Sequence, residues 1–320
     1  MNYMVNTICE LERPAKDFAF VFPGQGSQKV GMGRDLFEAF SSTRELFKEA
    51  DDALGMYLSK LCFEGPEDIL CQTINAQPAI LTMSVACLMA AAEVSGDMVC
   101  PAYMAGHSLG EYTALVAAGV LSFADAVRLT RQRGKFMQKA GEMAPGGMVA
   151  IIGLDEVSVE SICQETGARI SNINSPGQIV ISGTREAMVR SIDLSQSMGA
   201  RFSKPLNVSG AFHSPLMKPA VEGMTKAIEG IRFHDPVVPV IANSTAKPLA
   251  TSKEVKKELL EQIASCVQWQ KSVEYMVGDG VSTFVEVGPG QVLTGLIKRI
   301  SKDAHTVNVG DVNSVREVKF

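Results

Sequence analysis

The chain has no excess of basic residues. Its 320 residues carry 30 Lys and Arg against 35 Asp and Glu, a formal net charge of −5. A general nucleic-acid binder normally shows the opposite balance, so that class is disfavoured, although a local basic patch is compatible with the total. There is no Cys-x-x-Cys pair. The cysteines, Cys9, Cys62, Cys71, Cys87, Cys100, Cys163 and Cys266, are odd in number and far apart. That argues against a disulfide framework and for a reduced, cytoplasmic setting. No secretory signal opens the chain: the residues up to Lys16 include Glu10, Glu12 and Arg13 and lack a long apolar core. The apolar segment Pro78 to Ala92 is interrupted by Thr82 and Ser84 and is short for a membrane span, so it reads as a buried helix. Internal repeats and low-complexity tracts are missing. Histidine is scarce, at four residues, which makes a search for a catalytic base tractable.

What is present is an apolar fraction of 46%, enough for a large core in a main domain with a smaller one beside it. Phe18 to Phe22 reads as a short buried strand, broken by Pro23-Gly24-Gln25-Gly26-Ser27-Gln28. This loop is not a P-loop, because Gly31-Met32-Gly33 stands where Gly-Lys-Ser/Thr would be needed. It is not a dinucleotide fingerprint either, because Lys29 occupies the third glycine position. It reads as a backbone-exposing turn after a central strand, where α/β sheets bind ligands.

Gly106-His107-Ser108-Leu109-Gly110 fits G-x-S-x-G, the nucleophile elbow. The pattern expects a strand over Val99 to Ala105, a tight turn at Ser108 and a helix over Leu109 to Ala118. The glycines remove side chains where strand and helix nearly collide. Ser108 would then face the N–H groups of a helix N-terminus, where an oxyanion is favoured. An ordinary Gly-rich strand–helix turn would show the same residues.

Helical patterns are expected at Asp35 to Phe47, around Pro66 to Cys71, at Ala76 to Val94 and at Phe123 to about Lys139. The last carries Arg128, Arg131, Arg133, Lys135 and Lys139, mostly a solvated face. From Gly147 to Val208 the pattern changes to β-α-β-β-α-β, the ferredoxin-like order. Its expected elements are Met148 to Ile152, Asp155 to Glu165, Ala168 to Ile173, Gln178 to Ser182, Thr184 to Ser197 and Arg201 to Val208. Helices at Pro215 to Glu229, Thr251 to Ala264 and Val292 to Ile300 alternate with strands at Pro236 to Ile241 and Val281 to Val287. The expected class is α/β: a hydrolase-like domain with a mainly parallel sheet, from residues 17–140 and 209–320, plus an inserted ferredoxin-like subdomain at 141–208. Residues 1–16 are expected to be a flexible lead-in.

A serine nucleophile needs a base. His107 adjoins Ser108 and should point away at the turn. His234 precedes a strand and reads as surface, and His305 lies in a polar C-terminal stretch. His213, at the return from the insert, is the candidate, with helix-start packing as the alternative. No carboxylate between Ser108 and His213 stands out as the third member of a triad. A dyad with another orienting group is compatible with that, and it weakens a plain esterase reading.

Six stretches in order now resemble one family. They are Phe22 to Gln28, Gly106 to Tyr112, Gln132-Arg133-Gly134-Lys135-Phe136-Met137, Asn174-Ser175-Pro176-Gly177-Gln178, Gln268-Trp269 and Glu286-Val287-Gly288-Pro289-Gly290. Together, from about Phe18 to about Ile300, the chain resembles the malonyl-CoA:acyl carrier protein transacylases of bacterial fatty-acid synthesis. The resemblance implies Ser108 as nucleophile, His213 as base, and Gln262 holding that histidine through its main-chain carbonyl. It implies the backbone N–H groups of Gln25 and Leu109 as oxyanion hole, and Arg133 as the partner of the substrate carboxylate, which bidentate guanidinium geometry suits. Gly210-Ala211-Phe212-His213 resembles the pattern linked with malonyl over methylmalonyl selection, with Phe212 crowding an α-methyl group. The first position of that pattern departs from the usual histidine. Asn172 and Asn174 are candidate pocket donors. Malonyl-CoA and an acyl carrier protein are the implied substrates, met through a local basic patch drawn from Lys135, Lys139, Lys204, Lys218 and Arg299. No cofactor or metal, no nucleic acid, no membrane and a monomeric state are expected. A stand-alone polyketide acyltransferase, a serine hydrolase and a non-catalytic partner on the same fold remain the rival readings.

Overall fold

The computed structural model describes residues 15–96 and 100–318. Along the chain come strands β1 (Ala15–Phe22) and β2 (Pro101–Gly106), then β3 (Gly146–Ile152), β4 (Arg169–Ser175), β5 (Gln178–Thr184) and β6 (Phe202–Pro205). They are followed by β7 (Val240–Ile241), β8 (Pro248–Leu249), β9 (Thr283–Val287) and β10 (His305–Val309). One sheet has the order β10-β9-β1-β2-β7-β8 and is parallel except at the β7–β8 pair. The other, β4-β5-β3-β6, is antiparallel throughout.

The period of two in β1 explains why the first sheet is covered on both faces. Phe20 and Phe22 join the core beneath the helix Thr73–Ser95, whereas Ala19 and Val21 join a separate core with Trp269, Phe284 and Leu296. Thr73–Ser95 is long and apolar enough to cross a membrane, but most of it is buried inside the protein. Its apolar residues run all round the helix because neighbours surround it.

The second sheet carries helices Glu156–Thr166 and Arg185–Ser197, started by the side chains of Asp155 and Thr184. Val149, Ile151, Ile179 and Ile181 pack beneath them, while Met148 and Val180 on the opposite face join the main core. One face therefore builds the unit and the other roofs the cleft.

The structure departs from the expected elements in specific places. The helix expected over Asp35 to Phe47 is two, Arg34–Ala39 and Ser41–Leu54, because Phe40 turns extended and the Thr43 hydroxyl bonds the carbonyls of Leu36 and Phe40. Pro236 to Ile241 keeps strand pairing only at Val240–Ile241; Pro236 and Pro239 have no N–H to pair. Helices Leu58–Glu64, Trp269–Gly278 and Val312–Glu317 were not expected, nor was β10. His305 therefore stands at the start of an edge strand. Of the expected lead-in, residues 1–14 lie outside the described residues, and Ala15 and Lys16 belong to β1. Val99, the expected start of β2, also lies outside them.

β1, β2 and β9 are parallel, so their C-terminal ends share one edge of the sheet. The Pro23–Gln28 loop, the elbow and Gly288-Pro289-Gly290 all leave from that edge. The approach there is too close for side chains. A Cβ on Gly106 would lie 1.9 Å from the Gly110 carbonyl carbon, and one on Gly110 would lie 2.1 Å from the Phe22 oxygen. Gly110→Ala should therefore lower stability by roughly 3 kcal/mol or more. Gly295, at an exposed position of helix Val292–Ile300 with nothing near its missing side chain, should gain about 0.5–1 kcal/mol as alanine. Urea midpoints of the two variants check this contrast; similar responses would mean the elbow accommodates a Cβ.

Candidate active site

Ser108 lies two residues past the end of β2 and precedes helix Leu109–Ala117 with φ 52° and ψ −103°. A non-glycine residue in this region costs of order 1–3 kcal/mol and persists only when its surroundings over-determine it. Asn243 does so. Its Oδ1 accepts the Ser108 N–H at 2.6 Å and its Nδ2 donates to the Gly106 carbonyl at 2.7 Å. The next N–H, that of Leu109, opens the helix and has no intrahelical acceptor. Gln25 faces the same cavity across the Pro23–Gln28 loop.

His213 is also left-handed, with φ 55°. It precedes the short turn Pro215–Met217, which Ser214 caps. Its Nε2 lies 2.8 Å from Ser108 Oγ and its Nδ1 lies 2.8 Å from the main-chain oxygen of Gln262. That oxygen comes from the turn that ends helix Ser252–Glu261, where carbonyls lack helical partners. A carbonyl can only accept, so Nδ1 carries the hydrogen and Nε2 is left to accept from the serine. Burial first, and the Arg133 guanidinium second, push the His213 pKa down to about 3. The imidazole is neutral, the form able to take a proton.

Arg133 is 1% exposed. Nη1 donates to Gln77 Oε1 at 2.8 Å; Nη2 donates to Gln262 Oε1 at 2.8 Å and to Ser108 Oγ at 3.1 Å. The guanidinium also lies 5.3 Å over the Tyr112 ring. Gly134 makes this possible: its missing side chain lets the helix Phe123–Met143 approach the Thr73 carbonyl, where a Cβ would sit at 2.5 Å. Among the described residues Arg133 has no ion pair. A fully buried cation bonded to neutral oxygens is a site that favours an anion.

These side chains face a cavity of about 450 Å³, closed by Phe212, Met148, Val180 and Leu206 and reached past Gln28, Cys71 and Val292. Asn172 and Asn174 line it; Asn174 Oδ1 is 2.8 Å from His107 Nε2. His107 turns from Ser108 onto Asn174 and Trp269, and burial lowers its pKa. His234 and His305 are exposed. The structure thus brings together Ser108, His213, Arg133, Gln262, Gln25, Leu109 and Phe212. It leaves Lys135, Lys139, Lys204, Lys218 and Arg299 exposed, with Arg299 bonded to Gln178 on the rim.

Four residues escaped the sequence reading. Gln77 and Glu111 carried a weak signal: each is a large polar side chain in a helix rich in apolar residues. Glu111, which did not stand out among the carboxylates, is wholly buried beside Gln262, and burial holds its pKa well above the ordinary carboxylate value. Asn243 and Glu258 carried none. Glu258 accepts the N–H and hydroxyl of Ser244, next to Asn243.

The sequence matches the acyl transferase domain family over residues 19–315. It is 48% identical over 287 residues to the malonyl CoA-acyl carrier protein transacylase of Escherichia coli (strain K12), covering 88% of this chain and 92% of that one. The fold is similar to the crystal structure of an acyl carrier protein S-malonyltransferase from Vibrio cholerae, with TM-score 0.90, 42% identity and coverage of 95% and 100% of the two chains. It is also similar to a malonyl-transacylase solved in complex with a type II polyketide acyl-carrier protein, with TM-score 0.89, 43% identity and coverage of 93% and 97%. A serine elbow, a carbonyl-held histidine and a buried arginine without an ion pair, on a chain matched along nearly its whole length, place this protein in the malonyl CoA-acyl carrier protein transacylase family.

Proposed function

We propose that the chain transfers the malonyl group from malonyl-CoA to the phosphopantetheine thiol of an acyl carrier protein, for fatty-acid synthesis, through an ester on Ser108. His213 Nε2 takes the serine proton as Oγ attacks the thioester carbon. The tetrahedral oxyanion is held by the N–H groups of Gln25 and Leu109. Its collapse breaks the C–S bond, and the departing thiolate takes the proton from His213. The carrier's thiol then gives its proton to His213 and attacks the ester, restoring Ser108. Gln262, through its main-chain oxygen, keeps the imidazole in the accepting tautomer throughout.

The observation that carries the choice of acyl group is Arg133 Nη2, 3.1 Å from the nucleophilic oxygen. In a malonyl group one methylene separates the reacting carbonyl from the carboxylate, so a guanidinium this close meets that carboxylate when the carbonyl reaches Ser108. A neutral acetyl group leaves the buried cation without an anion. Phe212, 5% exposed in the cavity wall, crowds an α-methyl branch. The carrier, typically acidic, docks through exposed Lys135, Lys139, Lys204, Lys218 and Arg299.

Intact mass after mixing with malonyl-CoA should show one malonyl adduct, absent in Ser108→Ala and much weaker with acetyl-CoA. Arg133→Ala should reduce the malonyl-over-acetyl preference at least about thirtyfold, the effect of truncating one side of a buried charge pair; a retained preference would remove the clamp. Reversing the five exposed charges should raise KM for the carrier and leave Ser108 malonylation by malonyl-CoA intact. An unchanged KM would place the carrier elsewhere.

The depressed His213 pKa also sets a pH expectation. The folded histidine stays neutral where an ordinary one, near 6.5, would protonate. The rate of Ser108 malonylation should therefore stay flat from about pH 8 down to about pH 5; a fall centred near the ordinary imidazole value would contradict the assignment. By linkage, the His213 contribution to stability is full above 6.5 and declines as pH falls toward about 3, because only the unfolded histidine gains a proton in that window.

A further inference from the structure

Gln262 serves the site in two ways. Its main-chain oxygen meets His213, whereas its side-chain Oε1 accepts from Arg133. The amide can sit in either of two flipped orientations, and only one turns Oε1 toward the guanidinium. The nitrogen end decides between them. Nε2 donates to the Ser108 carbonyl at 2.9 Å and to Glu111 Oε2; both oxygens accept, so the amide nitrogen faces them and Oε1 faces the guanidinium. Glu111 is wholly buried, and its other oxygen, Oε1, has no hydrogen-bond partner among the described residues. Its helix neighbours from Leu109 to Ala117 are otherwise free of ionisable groups except Tyr112. Burying a carboxyl is unfavourable unless its oxygens are used.

We infer that Glu111 is a positioning residue for acyl selection: by accepting from Gln262 Nε2 it locks the amide so that Oε1 holds Arg133 beside Ser108. The inference rests on the proposed role of Arg133. Gln77 anchors Nη1 from the opposite side, so the guanidinium is held between two glutamine oxygens, one oriented by Glu111. A carboxylate bonded directly to Arg133 would compete with the substrate; a carboxyl placed an amide away orients the clamp and leaves it open.

The test compares Glu111→Leu, Glu111→Gln, Gln262→Met and Arg133→Ala, with kcat and KM measured separately for malonyl-CoA and acetyl-CoA. Glu111→Leu removes one of the two acceptors of Nε2 and leaves the Ser108 carbonyl, whereas Gln262→Met removes the amide but keeps the main-chain oxygen. Each should lower the malonyl-to-acetyl ratio of kcat/KM by about tenfold, mainly through KM for malonyl-CoA, the scale of one lost buried hydrogen bond. Glu111→Gln keeps an acceptor and should hold the ratio within about threefold of the parent. An unchanged ratio in Glu111→Leu, an equal fall with both substrates, or a loss in Glu111→Gln as large as in Glu111→Leu overturns the inference. If Glu111→Leu does not fold, Glu111→Met, which keeps the side-chain length without the carboxyl oxygens, takes its place with the same expected ratio. Failure of the clamp itself is seen separately, as a malonyl preference that survives Arg133→Ala.

Discussion

The site depends on a main-chain contact that only glycine permits. The end of β1 and the start of the elbow helix approach until Gly110 lies against the Phe22 carbonyl, and Gly106 lies against Gly110 itself. Gly24 closes the third side, where a Cβ would sit 2.4 Å from the His107 oxygen. This crowding pushes Ser108 into a left-handed conformation and lifts its side chain out of the turn. It also brings the Pro23–Gln28 loop over the same point. The proposed nucleophile and oxyanion donors are positioned by backbone, which loses no side-chain entropy on folding.

Around that rigid point the side chains manage one buried positive charge. Neutral oxygens accept from both terminal nitrogens of Arg133 without cancelling its charge, and its buried Nε has no hydrogen-bond partner among the described residues. The same charge weakens His213 as a proton acceptor, and the Gln262 carbonyl works against that by favouring the protonated ring. Base and clamp are therefore adjusted against each other through a single residue, Gln262. In the proposed reaction malonyl binding brings the anion that Arg133 lacks, so selection of the acyl group and completion of the site become the same event.

Much of this was legible in the residues. The elbow, the Pro-Gly-Gln-Gly loop and the β-α-β-β-α-β insert are local patterns whose geometry follows from glycine placement and from period-two or helical spacing. Elimination among four histidines reached His213. Arg133 was different. Within Arg128, Arg131, Arg133, Lys135 and Lys139 nothing local marks the one that is buried; only the likeness of the surrounding motif singled it out. The missed helix Trp269–Gly278 and strand β10 show the same divide. β10 looks polar because it is an edge strand, and it becomes a strand by pairing with β9.

The sequence by itself determined the fold class, the tight turn at Ser108 and the expectation of a dyad, because each rests on residue types and their order along the chain. Tertiary structure decided what surrounds them. Gln77, Asn243, Glu111 and Gln262 come from helices and loops far apart in the chain, and their roles exist only where packing brings their polar atoms within hydrogen-bond reach. A side chain's neighbours along the chain announce its conformation. Whether its charge is solvated or buried, and what it then bonds, depends on segments a hundred residues away.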